Sequence, residues 1–305
     1  MKNKSKVVVL MATYNGISWI AEQVSSILNQ SDVEVELVIS DDCSSDNTKA
    51  CLESMAKDDS RIILLPNLSR VFSAGKNFYR LIADANTNNC DYVAFADQDD
   101  IWMQDKVIRH VNLIKHHHAD AVSSGVIAFW SNGKEKLIVK SQPLKKLDYL
   151  FESAGPGCTF LMTPWLINEV SVQLKDESSV AKDVVSHDWL AYAVCRAHSR
   201  KWVIDNAPSV RYRQHQNNVV GANSGFKAKL VRLKKLKKNW YRSEVIKVCE
   251  VSASISESVE ISSLLVILRN KNIISQYELL PYALQARRKF ADRFLLIISI
   301  VLFAF

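Results

Sequence analysis

The sequence predicts an α/β protein: a mixed, mainly parallel sheet with flanking helices, followed by a C-terminal helical extension. Three observations carry that reading. Over the first hundred residues, short β-branched runs alternate with segments of helical period, as βαβ units require. The run Val7 to Ala12 is continuously apolar, which suits a strand buried on both faces. Polar clusters at Thr13 to Gly16, Asp41 to Asp46 and Asp97 to Asp100 each follow a strand pattern. Open α/β sheets bind ligands beyond such carboxyl ends, so the three clusters are expected to share one crevice.

Taken in order, Val7 to Ala12 is the first strand, broken by Tyr14-Asn15-Gly16. Ile17, Ile20, Ala21, Val24, Ile27 and Leu28 then fall on one helical stripe. Val33 to Ser40 is a second strand, a helix follows from Asn47 to about Lys57, and Ile62 to Leu65 is a third strand. Another helix begins near Ala74, and Tyr92 to Ala96 is a fourth strand. Beyond residue 120 the pattern mixes. Ala121 to Trp130 reads as a strand closed by a hairpin turn at Ser131-Asn132-Gly133-Lys134. Gly155-Pro156-Gly157-Cys158 is a loop entering the apolar Thr159 to Met162. His187-Asp188-Trp189 precedes a helix from Leu190 to Ala197, Trp202 to Ile204 is a short strand, and Arg211 to Gly221 is a polar segment.

Composition narrows the class. With 48% hydrophobic and 23% charged residues in 305, the chain can bury a full core. The formal charge of +7 is concentrated: Lys227 to Lys247 holds nine Lys or Arg and one acid, Glu244. The six cysteines, Cys43, Cys51, Cys90, Cys158, Cys195 and Cys249, form no C-x-x-C pair, which argues against a zinc site or a disulfide framework and suits reduced thiols. The apolar start is too short for a signal-peptide core.

The Asp97-Gln98-Asp99-Asp100 cluster is the strongest chemical signal. Three carboxylates at the end of an apolar strand repel one another unless a cation sits among them, and hard divalent ions prefer oxygen ligands. Alternation along a strand would aim Asp97 and Asp99 at one point. The alternative is a solvated turn capping a helix near Asp105, with Asp100 or Asp105 as N-cap. Thr13-Tyr14-Asn15-Gly16 has a single glycine and matches neither G-x-G-x-x-G nor G-x-x-x-x-G-K-[ST], which disfavours dinucleotide enzymes and P-loop ATPases.

Three segments then carry a family resemblance: Val8 to Gly16, Ile39 to Thr48, and Ala96-Asp97-Gln98-Asp99-Asp100-Ile101-Trp102. They resemble the opening motifs of family 2 inverting glycosyltransferases, which have a GT-A fold and use nucleotide-diphosphate sugars. The resemblance spans roughly residues 5 to 222. With Ser186-His187-Asp188-Trp189 and Tyr212 to Asn218, it is most similar to bacterial rhamnosyltransferases of O-antigen and capsule assembly. It implies that Thr13 and Asp41 read the donor base, with Asp42 assisting. Gly75 and Asn77 match a loop beside the donor, although Arg70 to Lys76 departs from the commoner pattern. Asp97 would contact ribose or metal, and Asp99 would be the principal ligand of a divalent metal, Mg2+ or Mn2+, that neutralises the departing nucleoside diphosphate. Asp188 would be the base that deprotonates the acceptor hydroxyl; read by itself, it is equally a helix N-cap. Gly157, Cys158, His187 and Trp189 would line the sugar and acceptor site, with a plain turn or packing as the alternative. His215 is a further metal-ligand candidate, or part of a polar surface loop. Arg211 and Arg213 are candidates to neutralise the diphosphate, or ordinary exposed arginines. His116-His117-His118 lacks ligand spacing and reads as a solvated helix end. The Q-x-x-R-W motif of processive synthases is not visible.

The expected domains are therefore 1–222, the glycosyltransferase domain, and 223–305, a basic and apolar helical extension. Lys227 to Lys247 resembles a cationic amphipathic helix suited to anionic lipid, with a solvated face as the alternative. No motif accompanies the charge that would favour nucleic acid. Phe294 to Phe305 is apolar except for Ser299 and falls short of the about 20 residues a bilayer span needs. The implied partners are a nucleotide-diphosphate sugar and a lipid-linked saccharide acceptor, at the cytoplasmic face of the bacterial membrane. A change of donor to a UDP-hexose or UDP-N-acetylhexosamine, or a non-catalytic nucleotide-sugar-binding role, are the competing readings; the intact Asp97, Asp99 and Asp188 speak against the second.

Overall fold

The apolar run at Val7 becomes the heart of a nine-stranded sheet in the computed structural model, which describes residues 4–66, 69–215, 240–270 and 272–305. Its elements are β1 (Ser5–Thr13), α1 (Ile20–Leu28), β2 (Val33–Asp41), α2 (Thr48–Asp58), β3 (Ile62–Leu64), α3 (Ala74–Asp84), β4 (Tyr92–Ala96) and β5 (Ile101–Trp102). There follow α4 (Lys106–His117), β6 (Ala121–Trp130), β7 (Glu135–Ile138), β8 (Leu161–Met162), α5 (Pro164–Lys175), α6 (His187–Ala197) and β9 (Trp202–Gln214). The extension adds α7 (Trp240–Ile255), α8 (Val259–Arg269), α9 (Ile273–Glu278), α10 (Leu280–Ala286) and α11 (Phe290–Val301).

Strand order is β3-β2-β1-β4-β8-β6-β9-β5, with β7 paired to β6. The pairs β1–β2, β1–β4, β2–β3 and β6–β9 are parallel, and β8 enters antiparallel between β4 and β6. Alternation along β1 divides the core. Val7, Val9 and Met11 pack with Ile20, Val24, Val107 and Val111 of α1 and α4 on one face. Val8 and Leu10 pack with Phe78, Leu166, Leu190 and Val245 on the other. The extension thus shares the core of the main sheet through α7; the expected boundary at 222/223 lies outside the described residues.

Three local expectations change. Asp97 to Asp100 is a turn between β4 and β5, not the end of a strand, so period-two alternation does not govern it. Helix α6 starts at His187, earlier than expected, which places Asp188 inside its first turn with Ser186 at the N-cap. β9 runs on to Gln214, because β6 continues to pair with it after a register shift between Ser124 and Val126. A polar sequence thereby becomes strand through its partner.

Arg242 organises the extension. Only 4% exposed, its guanidinium donates to the carbonyls of Leu268 (3.0 Å), Asn270 (2.9 Å) and Phe305 (2.9 Å) and to Gln276 Oε1 (2.8 Å). Carbonyls left open at the end of α8 are so satisfied by one side chain. Residues 227–239 of the basic stretch lie outside the described residues. Among the described residues no helix is long and apolar enough to cross a membrane.

Candidate active site

The last rung of the β1–β2 ladder pairs Thr13 with Asp41, which opens the crevice. Thr13 Oγ1 donates to Asp41 Oδ1 (2.9 Å), and the Ser44 N–H donates to Asp41 Oδ2 (2.8 Å). Both sequence candidates for base recognition therefore stand together at the sheet edge. Asp42 faces inward, 4% exposed, and its two oxygens accept the N–H groups of Val71 (2.6 Å) and Phe72 (2.9 Å). These bonds hold the loop entering α3 against the end of β2, beside Asp41. Asn77 joins the ends of the same two strands, donating to Ser40 O (2.8 Å) while accepting from Ser40 Oγ (2.6 Å).

Gln98 fastens the acidic turn to the first strand end. Its amide accepts from Tyr14 N–H (2.8 Å) and donates to Tyr14 O (2.9 Å), and Gln23 Nε2 donates to Asp97 O (2.6 Å). The three carboxylates then diverge. Asp97, Asp100 and the Cys158 thiol converge, with one ligand atom from each lying within 4.8 Å of the others. Asp99 points instead to His215, whose Nε2 is 2.6 Å from Asp99 Oδ2, and the His215 ring stacks on Trp19 at 4.1 Å. Burial, then the charges of Asp99 and Asp188, push the Asp97 carboxyl up to about 7. Burial, then the charges of Asp97 and Asp99, raise Asp100 well above the usual carboxylate range. Asp100 Oδ1 accepts from Arg213 N–H (3.1 Å), while the buried Oδ2 has no hydrogen-bond partner among the described residues. Such a concentration of oxygen donors, short of positive charge, with an imidazole beside it, fits a hard divalent cation.

Nearby, Lys106 is fully buried with its ammonium 3.1 Å from the Trp102 ring centre, and burial drives its pKa well down. Tyr212 was not visible as a site residue in the sequence. Its phenol stands close to Asp97, Cys158 and Asp100, and burial followed by those charges raises its pKa. Arg211 and Arg213, on either side of it, share the opposite face of β9 over the Phe129 ring. Arg211 pairs with Glu135 (2.5 Å), and Arg213 braces Asp99 O (2.8 Å) and Glu22. Strand alternation places Tyr212 on the face toward the acidic turn and the two arginines on the other.

Across the crevice, α6 presents His187 and Asp188. Asp188 Oδ1 accepts from Ser186 Oγ and from Trp189 N–H (2.6 Å), while Oδ2 has no partner among the described residues. The carboxylate is thus oriented by one oxygen, and it is not the N-cap. His187 stacks on Phe78 at 3.6 Å between ring centres, and burial lowers its pKa to about 4, so the ring is neutral. A Cβ on Gly157 would lie 2.8 Å from His187 Nε2 and 3.1 Å from Asp188 Cβ. The acceptor-loop glycine therefore allows its backbone to approach the base candidate. Trp189 is turned inward by the helix: its indole donates to Tyr149 O (2.8 Å) and stacks on Tyr241. Gly75 touches the same region from α3, since a Cβ there would collide with Val185 O.

This arrangement can be set beside known proteins. Residues 8–162 match glycosyl transferase family 2. The chain belongs to that family. This glycosyltransferase is 43% identical over 247 residues to dTDP-rhamnosyl transferase RfbG of Shigella flexneri, covering 81% of this chain and 86% of that protein. It is 29% identical over 168 residues to UDP-Glc:alpha-D-GlcNAc-diphosphoundecaprenol beta-1,3-glucosyltransferase WfgD of Escherichia coli, covering 54% of this chain and 63% of that one. Among solved structures, S. aureus TarS in complex with UDP-GlcNAc shares the fold at a TM-score of 0.56 and 14% identity, covering 89% of this chain and 83% of its own. Mannosyltransferase PcManGT from Pyrobaculum calidifontis, in complex with GDP-Man and Mn2+, does so at 0.53 and 14%, covering 87% and 79%. The mixed sheet described above is the GT-A fold that the opening motifs implied.

Proposed function

We propose that this glycosyltransferase transfers L-rhamnose from dTDP-L-rhamnose to a lipid-linked saccharide, with inversion and with a divalent metal, in surface polysaccharide assembly. The observation that carries the donor is the 43% identity to the Shigella dTDP-rhamnosyl transferase, spread over 81% of this chain. Thr13 and Asp41 would receive the base. Asp99 and His215 would hold the metal, Mg2+ or Mn2+, with Asp97 facing the ribose side, and the metal would supply positive charge to the leaving diphosphate. Asp188 Oδ2 would take the acceptor proton as the hydroxyl attacks the anomeric carbon from the far side. Tyr212 would border the diphosphate side of the crevice.

A lipid-linked acceptor is supported by the name of the glucosyltransferase relative, which acts on a diphosphoundecaprenol-linked sugar. A peripheral position on the inner face of the cytoplasmic membrane is supported by α11. Its Phe294, Leu295, Ile298 and Val301 form an exposed stripe opposite the buried Leu296 and Ile300. The same relative also favours the second reading, a UDP-hexose donor on the same chemistry. Thermal unfolding in the presence of dTDP-L-rhamnose, UDP-glucose or UDP-N-acetylglucosamine, each with and without Mn2+, separates the two. Metal-dependent stabilisation by dTDP-L-rhamnose alone is expected, and stabilisation by the UDP-sugars alone would overturn the donor.

A further inference from the structure

The segment that delivers Asp188 to the crevice is held from both sides, and one side belongs to the extension. From the sheet side, Tyr79 of α3 donates its hydroxyl to Val184 O (2.8 Å), and Gly75 leaves room for Val185 O. From the extension, Glu244 of α7, only 2% exposed, accepts the Val185 N–H at Oε2 (3.0 Å). Its other oxygen is ion-paired to Lys247, one helical turn on, and Lys247 Nζ donates to Asp183 O (2.7 Å). Residues 183–185 thus make four successive polar or close contacts immediately before Ser186, whose hydroxyl donates to Asp188. Burying a carboxylate against a loop is costly unless its hydrogen bonds are made. Here both oxygens are used, and both uses fix the same segment.

We propose that Glu244, completed by Lys247, is a positioning residue for Asp188: it fixes the backbone of 183–185 so that α6 begins with the Asp188 carboxylate facing the acidic turn. The inference rests on the reading of Asp188 as the base. Glu244 touches no reacting atom, so its loss displaces the base and leaves the donor pocket at Thr13, Asp41 and Asp99 intact. A 1 Å misplacement of a reacting group can cost about a hundredfold in rate.

The test uses the full chain, measuring dTDP release from dTDP-L-rhamnose with Mn2+ and water as the acceptor that Asp188 deprotonates and, separately, binding of dTDP. Glu244→Ala is expected to lower kcat about 10- to 100-fold with the dTDP Kd changed less than about threefold. Glu244→Gln, which still accepts from Val185 N–H, is expected to recover most of kcat. Lys247→Met, at a more exposed position and tolerant of folding, is expected to fall in the same direction by a smaller factor. Wild-type kcat in Glu244→Ala, or loss of dTDP binding in step with kcat in both Glu244→Ala and Lys247→Met, would overturn the proposal. Asp188→Asn separates the two readings. If it is inactive while Glu244→Ala is fully active, the positioning role fails and the base stands. If Asp188→Asn turns over normally, the base reading fails and the positioning role with it.

Discussion

Asp99 and His215 meet at 2.6 Å, whereas Asp97 turns toward Asp100 and Cys158, and this division decides what a cation does for the site. A metal bound to the native chain alone raises stability by RT ln(1 + [metal]/Kd), about 2.7 kcal/mol at a hundredfold excess over Kd. Mn2+ is therefore expected to raise the unfolding temperature of the native sequence and to leave that of Asp99→Asn nearly unchanged in differential scanning fluorimetry. His187 makes a second residue-scale prediction. Its folded pKa, about 4, lies below the ordinary 6.5 because burial disfavours the charged ring. The unfolded chain thus takes up a proton that the native chain refuses, so stability present above pH 6.5 is lost as pH falls toward 4. With each pKa unit worth about 1.4 kcal/mol, the loss is on the order of 3 kcal/mol. Urea denaturation across that range is expected to show a shallower loss in His187→Gln. At this scale the sequence revealed residue types better than directions: the motifs place Asp41, Asp99 and Asp188 around one crevice, whereas the inward turn of Trp189 and the face taken by Tyr212 are set by a helix turn and a strand face that no motif encodes.

Elements explain that pattern. A strand continues where its partner continues, so Arg211 to Gln214 became β9 by pairing with β6, and neither its polarity nor its arginines announced this. The acidic turn lost its strand periodicity for the converse reason, since β4 ends at Ala96 and β5 resumes only at Ile101. Where elements approach most closely, glycine marks the contact. Gly157 brings the loop against the first turn of α6, with His187 Nε2 2.8 Å from the place a Cβ would occupy. Gly157→Ala forces that helix start to shift, and overpacking of this kind costs about 1–3 kcal/mol. A fall of about a hundredfold in kcat, with the dTDP Kd largely retained, is expected from steady-state kinetics and equilibrium titration. The βαβ core was readable because hydrophobic periodicity over long segments survives any tertiary context; close approaches between loops leave no such period.

Across the whole molecule, the extension is fastened to the crevice as well as to the core. Arg287 Nη1 donates to Phe151 O (2.8 Å) and Arg288 Nη2 to Ser153 O (2.6 Å), just before the Gly155 to Cys158 loop, while α7 holds the segment before Asp188. These arginines tie the C-terminal extension to the scaffold, a role that charge counting conceals because the same residue type serves solvent and carbonyls alike. Arg242→Ala, which strips donors from the carbonyls of Leu268, Asn270 and Phe305, is expected to cost about 3 kcal/mol and to render the chain beyond residue 240 sensitive to limited proteolysis. The exposed stripe of α11 predicts sedimentation with vesicles containing anionic lipid, reduced in Phe294→Asp. In the proposed reaction this crevice would activate a dTDP-sugar through Asp99 and an acceptor through Asp188. The most direct test is dTDP release from dTDP-L-rhamnose with Mn2+ and water as the acceptor, compared among the native sequence, Asp99→Asn and Asp188→Asn. Turnover by the native sequence, with both variants folded and inactive, is the predicted result; turnover at the native rate in either variant would contradict it.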